Sequence, residues 1–389
     1  MQNDPVVFTI FLIFAGAALM ATFALYARLS LLVIYIIVGI LLGPSVLDVV
    51  AEPEVMRQVS HIGIVFLLFL LGINLQPQKM FHYLKQSTVI TTVSCLLFIV
   101  VGGACAWLFG FSTKESVVIG AAMMFSSTII GLKLLPTTVL HHKHTGEIII
   151  SVLLMQDLIA IVILMLLPAE WTSSALLIEL GKLVMSLLGL ILVAWFFSQY
   201  VLLKLIRRFN RIHEYIFLMA IGWCLSMAEL AHAIGLSPEI GAFIAGVMLA
   251  ANPIALFIAE NLKPLRDFFL VIFFFSLGAS FDLSIVNEVL WPSIVLATIF
   301  LVLKPVGFGR LLQAYGEEPY RAREVGVRLG QISEFSLFIA VLALDSGVIS
   351  SKASYLIQVS TLLSFVVSSW FIVLRYPTPI AVSEALRRD

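Results

Sequence analysis

Thirteen apolar stretches limit what this chain can fold into. They fall at about 6–26, 30–43, 59–75, 87–109, 116–136, 147–168, 174–203, 214–235, 239–251, 265–281, 289–312, 323–345 and 353–374. A helix needs about 20 mainly apolar residues to cross the hydrocarbon of a bilayer. Most of these stretches meet that length. In lipid the backbone must satisfy its own N–H and C=O groups, and runs this long do so as helices. Composition agrees, with 61% hydrophobic and 12% charged residues. Soluble domains carry about 45–50% apolar and about 25% charged residues. The expectation is an all-α membrane protein of about thirteen transmembrane helices. Stretches 30–43 and 239–251 are short for lipid. They are expected to extend into flanking turns or to lie inside protein.

Several classes drop out. The formal net charge is +0, which gives no basic footprint for nucleic acid. Cys95, Cys105 and Cys224 sit in apolar runs without a CxxC pair, so neither a disulfide framework nor a zinc site is expected. The spans hold no nucleophile–base constellation and no metal-ligand cluster, so no enzyme, metal or cofactor is expected. Asp4, rather than a basic region, precedes 6–26, which reads as a first membrane helix and not a cleavable signal. His141, His142 and His144 read as a solvated loop, and Glu179 with Lys182 as an i,i+3 pair.

Basic residues set the orientation, because Lys and Arg accumulate in cytoplasmic loops. With the N-terminus outside, only Arg57, Lys114 and Lys352 fall in outer loops, and Lys182, Lys304 and Arg328 fall within spans. The other 17 of the 23 lie inside. The N-terminus is therefore expected outside and the C-terminus, with tail 375–389, in the cytoplasm.

The two halves repeat. Val65–Gly72 (VFLLFLLG) aligns with Val271–Gly278 (VIFFFSLG) at an offset of 206 residues, as do Gly120 with Gly326 and Ser127 with Ser333. Ile37–Gly39 aligns with Ile244–Gly246 at 207. Six helices plus one connector separate the copies, so the second is inverted. Repeat 1 covers about 6–168, a linker helix about 174–203, and repeat 2 about 214–374. Inverted repeats are a signature of secondary transporters, with the site near the midplane where discontinuous helices meet.

Asp157 stands near the middle of the sixth span. A carboxylate at that depth is costly and marks an ion pathway by default, although an interhelical hydrogen bond is the plain alternative. A carboxylate can bind a hard monovalent cation or a proton, and one site holding either suffices for exchange. Gln156 adjoins it, either as a neutral oxygen ligand or as an interhelical hydrogen-bonding group. Two spans look breakable: Phe125-Ser126-Ser127-Thr128 in the fifth and Arg328-Leu329-Gly330-Gln331-Ile332-Ser333-Glu334 in the twelfth. The repeat places them in corresponding positions, and clustered small polar residues can re-satisfy unwound backbone. Lys304 is deep enough to need a partner, either a carboxylate or the carbonyl ends of broken helices. Gly39 and Gly43 form a GxxxG motif for close helix approach.

These residues resemble the monovalent cation:proton antiporter family, and within it the potassium-efflux, Kef-type branch. The resemblance rests on Gly39–Pro44, Gly72–Leu75 with Pro77, Phe125–Ile129, Gln156–Asp157, Gly235–Ser237, Gly241–Gly246 and Gln331–Phe335. It implies a sodium/proton-antiporter-like fold, with a mobile core carrying two crossed discontinuous helices and a dimerisation domain. It further implies a homodimer, elevator-type alternating access and the bacterial inner membrane. The ion-binding aspartate falls on Asp157, the core lysine on Lys304 and a second core carboxylate on Glu334. Ser126, Ser127, Thr128 and Gln156 are then expected around the cation, with Gln331, Ser333 and Arg328 supporting the crossing. Gln156, in place of an acid, implies one-for-one exchange of K+ for H+, with Na+ as the second choice of ion and a gated K+ pathway as the alternative. Two departures stand out. Asn74 occupies a position that is acidic in Kef-type proteins, which puts the usual ligand gating in doubt. The sequence contains no nucleotide-binding regulatory domain, which would have to come from elsewhere.

Overall fold

The computed structural model describes residues 5–27, 31–49, 53–74, 77–133, 144–166, 176–209 and 211–378. The described residues are helical throughout their regular structure. In chain order the helices are α1 (Pro5–Ala27), α2 (Leu31–Leu42), α3 (Pro53–Asn74), α4 (Pro77–Leu108), α5 (Thr113–Met123), α6 (Thr128–Lys133) and α7 (His144–Leu166). There follow α8 (Leu176–Phe197), a π-turn at Ser198–Leu202, α9 (Leu203–Arg208), α10 (His213–Ala233), α11 (Pro238–Ala250) and α12 (Ile254–Ala279). The last are α13 (Leu283–Ala314), α14 (Pro319–Arg328), α15 (Glu334–Asp345) and α16 (Ser351–Arg375).

Helix stands at each of the thirteen apolar stretches. Among the described residues, seven helices are individually long and apolar enough to cross a membrane. The fifth and twelfth spans are each two helices, α5/α6 and α14/α15, with a non-helical break between them. The short spans are α2, of 12 residues, and α11, of 13. Ten residues of α11 are buried, which is how so short a helix avoids lipid. Four helices begin six or more residues before their apolar stretch: α3 at Pro53, α4 at Pro77, α12 at Ile254 and α13 at Leu283. In α12, Glu260, Lys263 and Pro264 interrupt the hydrophobic run without ending the helix. Charges at the edge of a membrane reach water, so a helix can outlast its apolar segment. The side chain of Glu179, and His141, His142 and the tail 379–389, lie outside the described residues.

The repeat is visible in the contacts. A Cβ added at Gly120 would come 2.4 Å from the Ile99 carbonyl oxygen and 2.9 Å from the Gly103 nitrogen. One added at Gly326 would come 2.4 Å from the Pro305 carbonyl oxygen and 3.1 Å from the Gly309 nitrogen. All three pairs are 206 residues apart, so α5 crosses α4 in the way that α14 crosses α13. The GxxxG pair also marks a close approach, since a Cβ on Gly39 would come 2.1 Å from the Phe275 carbonyl oxygen of α12.

The helices pack as two groups. One contains α1, α2, α3, α10, α11 and α12, with α8 alongside. The other contains α4, α5, α6, α7, α13, α14, α15 and α16. Substantial helix packing stays within a group, except where α2 meets α16. The seam is lined by aromatic contacts, with Phe273 of α12 against Phe338 of α15 at 4.7 Å between ring centres.

At one end of the second group, Glu115 fastens the two repeats together. Its Oε2 accepts from the Ser112 backbone N–H (3.0 Å) and hydroxyl (2.8 Å), completing a capping box on α5. Its Oε1 accepts from the N–H (3.1 Å) and hydroxyl of Ser350, the N-cap of α16. Partial burial raises the Glu115 pKa, but the hydrogen bonds from Ser350 and Ser112 outweigh this and hold it down at about 2, from 4.5. Because the folded value is depressed, the contribution is full above the unfolded value and is lost as pH falls toward about 2. Glu115→Ala is expected to lower stability by about 1 kcal/mol, the usual value of a helix cap. Thermal unfolding in detergent at pH 7 and pH 3 checks this, with a smaller difference at pH 3.

Candidate ion site at the helix crossing

The two breaks are local events in the sequence. After Met123 the chain leaves the helix, and α6 restarts at Thr128 with the Ser127 hydroxyl accepting from the Ile130 N–H at 3.1 Å. After Arg328 it leaves again, and α15 restarts at Glu334 with the Ser333 hydroxyl accepting from the Phe335 N–H at 3.1 Å. Serine favours such positions because its short hydroxyl satisfies an orphan N–H of the first turn.

The breaks meet and satisfy one another. Ser126 Oγ donates to the Leu329 carbonyl at 2.8 Å, and Gln331 Nε2 donates to the Ser127 carbonyl at 3.3 Å. Lys304, fully buried on α13, donates from Nζ to the carbonyl oxygens of Phe125 and, at 3.1 Å, Gln331. One cation thus caps a carbonyl from each broken span, where the negative ends of helix dipoles lie. The Phe98 ring lies 5.6 Å from Nζ. On the opposite side, Gln156 Oε1 accepts from the Ser126 N–H at 2.9 Å and its Nε2 donates to the Met124 carbonyl at 3.2 Å. Each residue of the first break therefore has a polar backbone group held by a side chain from another element.

Asp157 stands beside this crossing on α7 and is 1% exposed. Thr128, the first residue of α6, has its hydroxyl 3.2 and 3.3 Å from the two carboxylate oxygens of Asp157. One hydroxyl proton serves one oxygen at a time, which leaves the carboxylate with capacity for a cation or proton. Glu334, buried at the start of α15, is a second carboxylate in the broken twelfth span.

Among the residues expected around the ion, Thr128 is the one whose side chain touches Asp157. The polar atoms of Ser126, Ser127 and Gln156 are engaged by the break itself. Adjacency in sequence explains the difference for Gln156, since neighbouring helix residues point about 100° apart. Lys304 takes the carbonyl ends rather than a carboxylate. Gln331 and Ser333 bind within the crossing. Arg328 is buried, with Glu324 at 2.9 Å and the Pro377 carbonyl at 2.9 Å among its partners. His144 is not simply solvated: Nε2 lies 2.9 Å from Glu317 Oε1 and Nδ1 lies 3.3 Å from Glu147 Oε2.

Sequence reasoning passed over three supporting side chains. Ser364 Oγ accepts from the Ile332 N–H at 3.0 Å, Ser368 Oγ donates to Gln331 Oε1 at 3.1 Å, and Cys95 Sγ lies 3.9 Å from Gln156 Nε2. The spacing of Ser360, Ser364 and Ser368 is legible as one helix face, but hydroxyls in a membrane helix are commonly interhelical glue. Gln156→Leu would leave the Ser126 N–H and Met124 carbonyl unpaired, at about 1–3 kcal/mol each. The expected result is a lower melting temperature in detergent with Asp157 intact.

Comparison with known proteins shows the family and the fold of the chain. The family described as "Sodium/hydrogen exchanger, transmembrane" matches residues 10–374. K(+) efflux antiporter 6 of Arabidopsis thaliana is 29% identical over 344 residues, covering 85% of this chain and 57% of that protein. The glutathione-regulated potassium-efflux system protein KefC of Salmonella schwarzengrund is 28% identical over 373 residues, covering 93% of this chain and 59% of that protein. The chain thus spans somewhat over half the length of these relatives. The sodium proton antiporter MjNhaP1 of Methanocaldococcus jannaschii shares the fold with a TM-score of 0.70 at 16% identity, covering 95% of this chain and 98% of that one. Matched along nearly all of its length, this multi-pass membrane chain belongs to the sodium/hydrogen exchanger family.

Proposed function

We propose that this protein is a secondary active antiporter exchanging a monovalent cation, K+ by first choice, for H+. The observation that carries the reading is the buried Asp157 carboxylate, with one hydroxyl for its two oxygens, beside two crossed helix breaks. A cation and a proton compete for that carboxylate. Thr128 Oγ supplies a neutral oxygen when a cation is bound and donates when the carboxylate is bare. Lys304 and Gln156 keep the breaks in place, so that loading and unloading need not reshape the crossing. Binding of one carboxylate to either ion gives electroneutral one-for-one exchange. The two helix groups are the elements that slide in alternating access, with a homodimer formed through the group lacking Asp157. The protein sits in the bacterial inner membrane with its N-terminus outside. Names of the relatives favour K+, and MjNhaP1 keeps Na+ as the alternative ion.

Proteoliposomes with the membrane potential clamped provide the test. An imposed K+ gradient is expected to move protons in the opposite direction. Cation flux without proton movement would identify a channel-like pathway instead. Replacing K+ by Na+ or Rb+ ranks the ions.

A further inference from the structure

Three ionisable side chains meet across the seam between the two helix groups. His61 on α3 has Nδ1 3.9 Å from Glu239 Oε1 and Nε2 3.6 Å from Asp345 Oδ2. Glu239 begins α11 and belongs, like α3, to the group without the crossing. Asp345 ends α15 and belongs to the group that holds it. The approach of His61 to Asp345 therefore joins the two groups.

Both separations are longer than a hydrogen bond, so what joins the ring to the two carboxylates is coulombic attraction, acting when the imidazole carries its second proton. Glu239 is 3% exposed, and its Oε2 has no hydrogen-bond partner among the described residues. A buried carboxylate so poorly satisfied holds a nearby cation strongly, because the alternative is an uncompensated buried charge. Asp345 is 28% exposed and can rehydrate when it parts from the ring. The weak side of the bridge is thus the side that crosses the seam.

All three residues lie at the same end of the molecule. His61 is near the start of the third span, Glu239 starts the ninth and Asp345 ends the twelfth. The distribution of Lys and Arg assigns each of these ends to the outside. A second fastening lies at this end: the Tyr355 hydroxyl of α16 donates to the Ser280 carbonyl at 2.8 Å and accepts from the Asp282 N–H at 3.0 Å.

We propose that His61 is an ion latch: its ring, anchored on Glu239, holds Asp345 and keeps the outer end of the seam closed. Releasing Asp345 is then a step in opening Asp157 to the outer medium. The latch rests on the alternating-access reading above, and it adds a contact that sets how often the outer end opens.

Paired spin labels test it in the full chain. Labels go at Val46 and Lys114, exposed positions on the two groups at this end, in a Cys105→Ala background that leaves only the buried Cys95 and Cys224. His61→Gln and Asp345→Asn are each expected to raise the long-distance population severalfold. The double variant should match either single one, because both remove the same contact. Unchanged distributions, a shift in only one variant, or additive shifts would overturn the latch. Both sites are partly exposed, and a melting curve for each variant confirms folding. Proton–cation exchange by the unlabelled wild type is measured separately. Exchange without the distance shifts removes the latch alone, and shifts without exchange remove the transport reading alone.

Discussion

Asp157→Asn is expected to give a folded protein that exchanges nothing. In proteoliposomes its cation-dependent proton flux should fall to that of empty vesicles. The amide keeps the shape of the side chain and can still bond to Thr128 Oγ at the 3.2 Å position. It carries no charge to balance a cation and does not take up a proton at working pH. Stability should move the other way. A buried ion costs several kcal/mol of desolvation, and Asp157 has a single described hydrogen-bonding side chain to offset it. The variant should therefore melt no lower than the wild type in detergent. It should also lose any rise in melting temperature on adding K+ or Na+. Residual coupled exchange in the variant would sink the proposal that Asp157 is the ion site.

Lys304→Met is expected to do the opposite to stability. Lys304 is as deeply buried as Asp157, but its ammonium bonds the carbonyls of Phe125 and Gln331, one from each broken span. Methionine fills similar space and satisfies neither. Two buried carbonyls left unpaired cost about 1–3 kcal/mol each. Relief from burying the ammonium offsets part of this, so a net loss of about 3 kcal/mol is expected. Thermal unfolding in detergent reads it directly. Exchange should fall as well, because the breaks that bring Thr128 to Asp157 lose their common anchor. If Lys304→Met melts at or above the wild-type temperature, the lysine is not the clamp on the crossing. Taken together, the two variants separate the buried charges by role: the carboxylate is a burden kept for ion binding, and the ammonium holds the fold.

Much of this was legible because lipid is a demanding solvent. The apolar stretches located helix at thirteen places, and length set apart the two, 30–43 and 239–251, that are short for the bilayer. The extents of α3, α4, α12 and α13 ran furthest beyond the apolar stretches, where charges at the membrane edge no longer report on the backbone. The 206-residue offset between Gly120 and Gly326 pointed to equivalent helices, and Ile99 with Pro305 shows the same offset in the contacts that these glycines make. Asp157 stood out because a carboxylate has no ordinary reason to lie at mid-span. The breaks were visible as polar and small residues where apolar ones were due.

Partners were harder to see. From the sequence Gln156 reads either as a neutral oxygen ligand beside Asp157 or as an interhelical hydrogen-bonding group. In the fold its amide is used up by Met124 and Ser126, some 30 residues away. Ser364 and Ser368 were indistinguishable from other hydroxyls on α16, and Lys304 had two open choices of partner. His61, Glu239 and Asp345 lie too far apart in sequence for any local pattern to join them. By itself the sequence determined that this chain must be a bundle of membrane helices with two interrupted spans and a carboxylate, Asp157, at mid-span. Those are properties of single segments weighed against lipid. Only the tertiary structure decided which side chain meets which carbonyl at the crossing and which charges bridge the seam. A hydrogen bond depends on tenths of an ångström, as between Ser126 and Leu329, 203 residues apart in the chain, and only the packed bundle sets that distance.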